Sequence, residues 1–401
     1  MNFMYKDFRL LQIGLLAVLV IACSKGGGSG TTPPSLPAAS ISSVSGDRNP
    51  AGSVFTFTVS LSSAATSDAT IHYTTVAGTA LETKDYAAAS GTVSIAAGKT
   101  SATINVQITG DSLRKPNQTF YVQLDAPQNC TLKTSKGFGT IINENGLYFP
   151  VDNTGYSTPE TYAGYTLAWA DEFNSKTIDD NNWTFESGNN NGWGNGELEN
   201  YTNRPQNAFA SNGNLIIEAR QETYGASQYT SARMVTKGKK VFKYGRIDIR
   251  AKLPSTKGIW PALWMLGNNI DAVSWPACGE IDIMELLGQE PNKMYSTLHW
   301  GATFQLHDSK GINYVLPAGS FDQQFHVYSM DWEENSIKIF VDDQQVFSAT
   351  SNDVSGNPYP FNDDFFFIFN IAVGGNWPGA PDGNTIFPQR MVVDYVRVFQ
   401  K

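Results

Sequence analysis

Apolar side chains in this chain recur at every second position, and that period decides what it can fold into. Within residues 54–59 the alternating apolar positions are Phe55, Phe57 and Val59, and within residues 103–108 they are Ile104, Val106 and Ile108. Ile247, Ile249 and Ala251 alternate in the same way with Arg246, Asp248 and Arg250. Successive side chains of an extended strand point to opposite faces, so a period of two buries one face and leaves the other to water. Clusters of Gly, Ser, Asp and Asn punctuate these segments as turns. The chain is therefore expected to be all-β.

At 401 residues it is too long for one ordinary domain. Residues 40–145 read as an immunoglobulin-like β-sandwich of about 100 residues. Residues 146–160, with Pro150, Gly155 and Pro159, read as a linker. Residues 161–401 are again strand after strand and fit a large jelly-roll β-sandwich. Within that stretch, residues 336–347 read as a hairpin turning at Asp342-Asp343, and residues 391–399 as a terminal strand.

The opening residues are of a different kind. Lys6 and Arg9 flank an apolar run from Leu10 to Ala22 that only Gln12 interrupts. The run is shorter than the roughly 20 residues a bilayer span needs, and it reads as a secretory leader over residues 1–22. Val20, Ile21, Ala22 and Cys23 resemble a bacterial lipobox, in which the cysteine becomes the lipidated N-terminus. Residues 23–39, rich in Gly, Ser and Pro, then read as a flexible tether. The expected location is a bacterial cell envelope, with the chain lipid-anchored to the outer membrane through Cys23; the periplasmic and surface faces both stay open. Cys130 and Cys278 fall in different units and read as buried, unpaired thiols.

A formal charge of −9 argues against a nucleic-acid partner, which would call for a basic stripe. A neutral polysaccharide is indifferent to that charge. The 9 Trp, 17 Tyr and 23 Phe suit stacking on sugar faces, but aromatic residues fill sandwich cores just as readily.

The chemistry concentrates in residues 279–288, Gly-Glu-Ile-Asp-Ile-Met-Glu-Leu-Leu-Gly. On a regular strand Glu280 and Asp282 share one face while Ile281 and Ile283 take the other. Glu285, five residues after Glu280, would then point into the core. One extra residue near Met284, a β-bulge, shifts the alternation and brings all three carboxyls to one face. Clustered carboxyls repel, and at least one is pushed to a higher pKa. Double-displacement glycoside cleavage needs that asymmetry: one ionised carboxylate to attack and one protonated carboxyl to release the leaving oxygen, roughly 5 to 5.5 Å apart. The competing structural reading is an acidic strand face without function. Trp260, Ala262 and Trp264 alternate on one face of another segment, which offers two indoles either as sugar platforms or as core. Trp377 lies in a Gly-rich loop that can approach a ligand closely.

The acidic segment resembles the catalytic signature of glycoside hydrolase family sixteen in the bulged form of its laminarinases. The resemblance runs through residues 165–173, 192–202, 213–219, 229–233, 258–266 and 374–379, in order. It implies an endo-acting, retaining hydrolase of β-1,3-glucan that needs no cofactor for catalysis and acts as a monomer. Glu280 would be the nucleophile, Glu285 the acid/base and Asp282 their supporting acid. Asn195, Arg233, Trp260, Trp264, Trp275, His299 and Trp377 would bind substrate. It also implies a structural calcium at Glu172, Gly213 and Asp394, against which stands an ion pair of Asp394 with Arg397 or another base. Residues 78–80, 85–86, 90–93, 119–124 and 139–143 resemble a Calx-β domain. Lys115 and Gln118 replace acids expected of a calcium-binding member, and only Asp85, Asp111 and Glu144 remain, so no calcium is assigned there. Mixed-linkage glucan and galactans are the alternative substrates within the family; a glycan-binding lipoprotein without activity is the alternative outside it.

Overall fold

The computed structural model describes residues 35–143, 148–354 and 358–401. Cys23, the leader and Glu144 lie outside the described residues. The N-terminal unit is a sandwich of a four-stranded and a five-stranded sheet. The alternating positions read from the sequence form its core, with Phe57, Val59, Val106 and Ile108 fully buried. Cys130 and Cys278 are both buried free thiols, as expected. Among the described residues no helix is long and apolar enough to cross a membrane.

The C-terminal unit is a jelly roll in which a ten-stranded sheet faces a seven-stranded one. The seven-stranded sheet runs in the spatial order Thr184–Glu186, Arg233–Val235, Phe365–Val373, Ile259–Gly267, Glu280–Leu286, Lys293–Trp300 and Asp308–Val315. Every residue of Phe365–Val373 is buried, and neighbours pair on both its edges. The inward residues of the seven-stranded sheet, Leu263, Met265, Ile281, Ile283 and Phe367 among them, meet Ile247, Ile249, Met330 and Val396 of the ten-stranded sheet in one continuous core. The expected hairpin turns at Asp342 and Asp343, with φ of 51° and 63°. Paired positive φ values are what a two-residue turn between right-twisted strands requires.

The segment read as a linker is fitted to the jelly roll. Phe149 and Val151 pack on Phe325, Ile216 and Val392. Phe325 N–H donates to the Thr154 carbonyl at 2.9 Å, and Tyr156 N–H returns a bond to the Phe325 carbonyl at 2.9 Å. Arg250 donates to the carbonyls of Tyr156 at 2.6 Å and Asn153 at 2.7 Å. Thr158 is held by the Tyr395 hydroxyl. The N-terminal sandwich adds one buried plug: Arg114 lies 3.3 Å from Glu218 and donates to the Gln206 carbonyl at 3.0 Å. A chain beginning at residue 161 is therefore expected to melt roughly 5–10 °C below one beginning at 148, since several hydrogen bonds worth about 1 kcal/mol each go with the strap. Equal melting temperatures in calorimetry would show that the strap contributes nothing.

Candidate active site

The acids stand on Glu280–Leu286, and the break in that strand's register is what groups them. Against Ile259–Gly267 the pairing steps from Leu263 opposite Met284 to Trp264 opposite Asp282, which leaves Ile283 as the extra residue. Ile283 and Met284 are consecutive, yet both are fully buried. The Ser296 hydroxyl, itself buried, donates to the Ile283 carbonyl at 2.8 Å and so satisfies a group at the bulge. Glu285 consequently emerges on the same face as Glu280 and Asp282, and all three line one cleft of about 750 Å³. The strand enters through Gly279 at φ 79°, where a Cβ would sit 2.8 Å from Pro360; no other residue fits there without displacing its neighbours.

Each outer acid is held by an indole. Trp275 Nε1–H donates to Glu280 Oε2 at 2.7 Å, and Trp260 Nε1–H donates to Glu285 Oε1 at 3.0 Å. His299 Nε2 lies 3.1 Å from Asp282 Oδ2, and its Nδ1 is 2.9 Å from His307 Nε2. Burial first, and then the neighbouring charges of Asp282 and Glu280, hold the Glu285 carboxyl well above the usual range. Burial and the Asp282 charge push Glu280 up to about 8, and burial pushes Asp282 up to about 7. The three form a coupled system that cannot be fully ionised at neutral pH, and Glu285, under repulsion from both others, is held furthest toward its protonated form.

All the residues expected to bind substrate line this cleft. Trp260 and Trp264 are half-buried on its floor with Ala262 between them, while Leu263 and Met265 face the core. Ala262 is the register partner of both Glu285 and Asn370, so a small side chain stands on the floor beside the acid/base candidate. Arg233 does not reach out as a free hydroxyl-binding arm. Its guanidinium lies 4.9 Å from the Trp193 ring centroid and 4.7 Å from that of Trp264, and its Nε donates to Glu186. Trp377 packs edge-on against Trp260 at 5.3 Å between ring centroids. Trp193, Phe304, His307 and Asn370 also line the cleft, though the sequence did not single them out. Trp193 was in view, inside the matched segment 192–202; Phe304 and His307 come from a loop without motif or period.

The carboxylates of the expected calcium set are ion-paired. Both Glu172 oxygens accept from Arg397, at 2.7 and 2.8 Å, and Asp394 Oδ2 accepts from Arg250 Nη1 at 2.7 Å. Gly213, at φ 72°, serves the turn between Ala208–Ser211 and Asn214–Tyr224. Asp394 is thus paired with Arg250, while the calcium reading draws also on backbone carbonyls, which these side-chain pairs do not involve. Among the described residues, the acid and imidazole group compact enough for one ion is Glu280, Asp282 and His299, whose ligand atoms lie within 4.8 Å of one another. That group contains the candidate nucleophile, which needs a free oxygen.

An open cleft across one sheet of a jelly roll, floored by indoles and centred on clustered carboxyls, defines a carbohydrate-active β-sandwich. The profile of glycosyl hydrolases family 16 matches residues 195–397, and the chain belongs to that family. Residues 47–145 match the Calx-beta domain. The chain is 42% identical over 270 residues to glucan endo-1,3-beta-glucosidase A1 of Niallia circulans, covering 62% of this chain but only 39% of that relative. It is 42% identical over 247 residues to the beta-glucanase of Rhodothermus marinus, covering 59% of this chain and 85% of that one. The laminarinase catalytic domain of Thermotoga maritima MSB8 superposes with a TM-score of 0.57 at 49% identity, covering 59% of this chain and 98% of that domain.

The raised carboxyls carry a stability consequence. A carboxyl whose folded pKa lies above its unfolded value stabilises the fold at low pH, and the contribution is lost as pH rises through the folded pKa. For Glu280 that loss runs from about 4.5 to about 8. Glu280→Gln should therefore leave the melting temperature near wild type at pH 4 and raise it by roughly 3–6 °C at pH 9. A shift that shrinks with rising pH would contradict the raised carboxyl.

Proposed function

We infer that this chain is an endo-acting, retaining hydrolase of β-1,3-glucan. The observation that carries the reading is the grouping of Glu280, Asp282 and Glu285 on one cleft face by the bulge at Ile283. In the first step the Glu280 carboxylate, oriented by Trp275, attacks the anomeric carbon while Glu285 gives its proton to the departing glycosidic oxygen. In the second step Glu285, now ionised, takes a proton from water, whose oxygen displaces Glu280 from the sugar and restores both groups. Asp282 lies between them with His299 beside it; its charge discourages ionisation of Glu285 until the leaving group needs the proton. The cleft floor offers indoles and amides, and its lone arginine is spent on Glu186, which favours a neutral glucan over a sulfated galactan. The laminarinases and β-glucanase among its relatives support the same substrate.

Reducing-sugar release from laminarin tests the reading. Glu280→Gln and Glu285→Gln should each lower kcat by roughly 10³-fold or more while laminarin still binds. Proton NMR of the first product should show the β-anomer ahead of mutarotation. An α-anomer first would rule out retention, and binding without release by the wild type would make the chain a glycan-binding lipoprotein.

The expectation of a lipid anchor belongs to the same proposal, since an enzyme held at the envelope meets polymer arriving from outside. Cells expressing the full chain should incorporate labelled palmitate into it, and Cys23→Ser should abolish the label. Undiminished labelling of Cys23→Ser would remove Cys23 as the anchor.

A further inference from the structure

Two carboxyls, Glu197 in the cleft wall and Glu199 behind it, have no task in the double displacement. Glu197 is 6% exposed and Glu199 is fully buried. Burial and the Glu197 charge beside it hold the Glu199 carboxyl well above the usual range, and Glu199 Oε2 accepts Val373 N–H at 2.6 Å. Glu197 stands inside a hydrogen-bonded chain that crosses beneath the cleft. Asn195 Nδ2 donates to Glu197 Oε1 at 3.2 Å, and the Tyr201 hydroxyl donates to Glu197 Oε2 at 2.9 Å. The Tyr201 oxygen accepts from Asn370 Nδ2 at 3.0 Å, and Asn370 Oδ1 accepts from Trp264 Nε1 at 2.8 Å.

The direction of this chain is forced from its far end. An indole nitrogen only donates, so the Asn370 carbonyl must face Trp264 and the Asn370 amide must face Tyr201. The tyrosine oxygen, having accepted that bond, has one hydrogen left, and it goes to Glu197. Glu197 therefore accepts at both oxygens, from Tyr201 and from Asn195. One carboxyl group thus fixes the amide of Asn195 on one wall and, through Tyr201 and Asn370, the indole of Trp264 on the floor, and Arg233 rests on that same indole.

We propose that Glu197, acting through Tyr201 and Asn370, is a positioning residue that sets the Asn195 amide and the Trp264 ring for gripping the glycan, without touching the sugar's reacting atoms. This rests on the glucan-hydrolysis reading for its substrate, but not for its geometry. Tyr201→Phe in the full chain is the sharpest probe, because it deletes one oxygen from a fully buried residue that does not line the cleft. Its kcat/KM on laminarin should fall roughly tenfold, with the loss carried by KM. The pH limits of kcat should stay where they are, since the three catalytic acids are untouched. In a double-mutant cycle with Trp264→Phe, which lacks the indole donor, the two losses should combine to less than their sum. In ligand-free protein the Trp264 indole N–H resonance, assigned by its disappearance in Trp264→Phe, should move in Tyr201→Phe. It should stay in place in Tyr295→Phe, whose hydroxyl bonds Glu290 instead.

Full additivity, a loss confined to kcat, or an unmoved indole resonance would each overturn the proposal. If the wild type neither binds nor cleaves laminarin, the hydrolysis reading falls, and the resonance still decides whether the chain positions Trp264. Should Tyr201→Phe fail to fold, Glu197→Gln serves in its place. It keeps the shape but turns an amide hydrogen toward one of the two donors, and the same resonance shift and KM increase are expected.

Discussion

Two adjacent side chains, Ile283 and Met284, turn into the same core, and the active site exists because they do. A regular strand would send one of them outward and Glu285 inward. Burying a large apolar side chain is worth about 1.5–3 kcal/mol, and leaving a carboxyl unpaired inside an apolar core costs more than that. The bulged arrangement wins on both counts. It leaves the Ile283 carbonyl in need of a partner, and Ser296 on the next strand supplies a buried hydroxyl. Folding energy and catalytic geometry are thus settled by the same local shift in register.

That shift sets three carboxyls against one another, and the surrounding sheet absorbs the consequence. Phe365–Val373 and Ile259–Gly267 pair along nine positions, so the floor beneath the acids cannot yield to relieve their repulsion. Relief comes instead by retaining protons, and Glu285, which both other acids repel, is where the proposed double displacement needs its acid. Trp275 and Trp260 donate to the outer acids without adding charge, so they fix orientation while leaving that proton balance to the carboxyls themselves. A charged donor in either place would pull the neighbouring carboxyl toward ionisation and weaken the contrast on which the proposed two steps rely.

What the sequence made legible follows one rule: residues whose place is set by strand alternation could be read, and residues brought in by loops or by competing charges could not. Trp260, Ala262 and Trp264 alternate, so their common face was visible in the sequence, as was the turn at Asp342-Asp343. The bulge was visible because regular alternation gave an unacceptable answer for Glu285. Phe304 and His307 come from the turn between Lys293–Trp300 and Asp308–Val315, where no period constrains which way a side chain points. The partners of Glu172 and Asp394 were hidden for another reason: Arg397 and Arg250 reach them from positions that only the packed sheet brings close.

The attachment of the N-terminal sandwich turns on the same competition between charge and burial. Glu218 is fully buried in the ten-stranded sheet and has arginines on several sides: Arg390 at 2.6 Å, Arg114 at 3.3 Å and Arg220 at 3.4 Å. Arg390 and Arg220 belong to the jelly roll, so Glu218 keeps a counter-charge when the N-terminal unit is absent. Arg114 has no such reserve. Its guanidinium is buried between Glu218, the Gln206 carbonyl and the ring of Phe209, 3.9 Å from its centroid, and every one of those partners lies in the jelly roll. Undocking would cost Arg114 its partners while leaving Glu218 nearly satisfied. The dependence is one-sided: Glu218 keeps its counter-charges within the jelly roll, whereas Arg114 draws these partners from across the boundary.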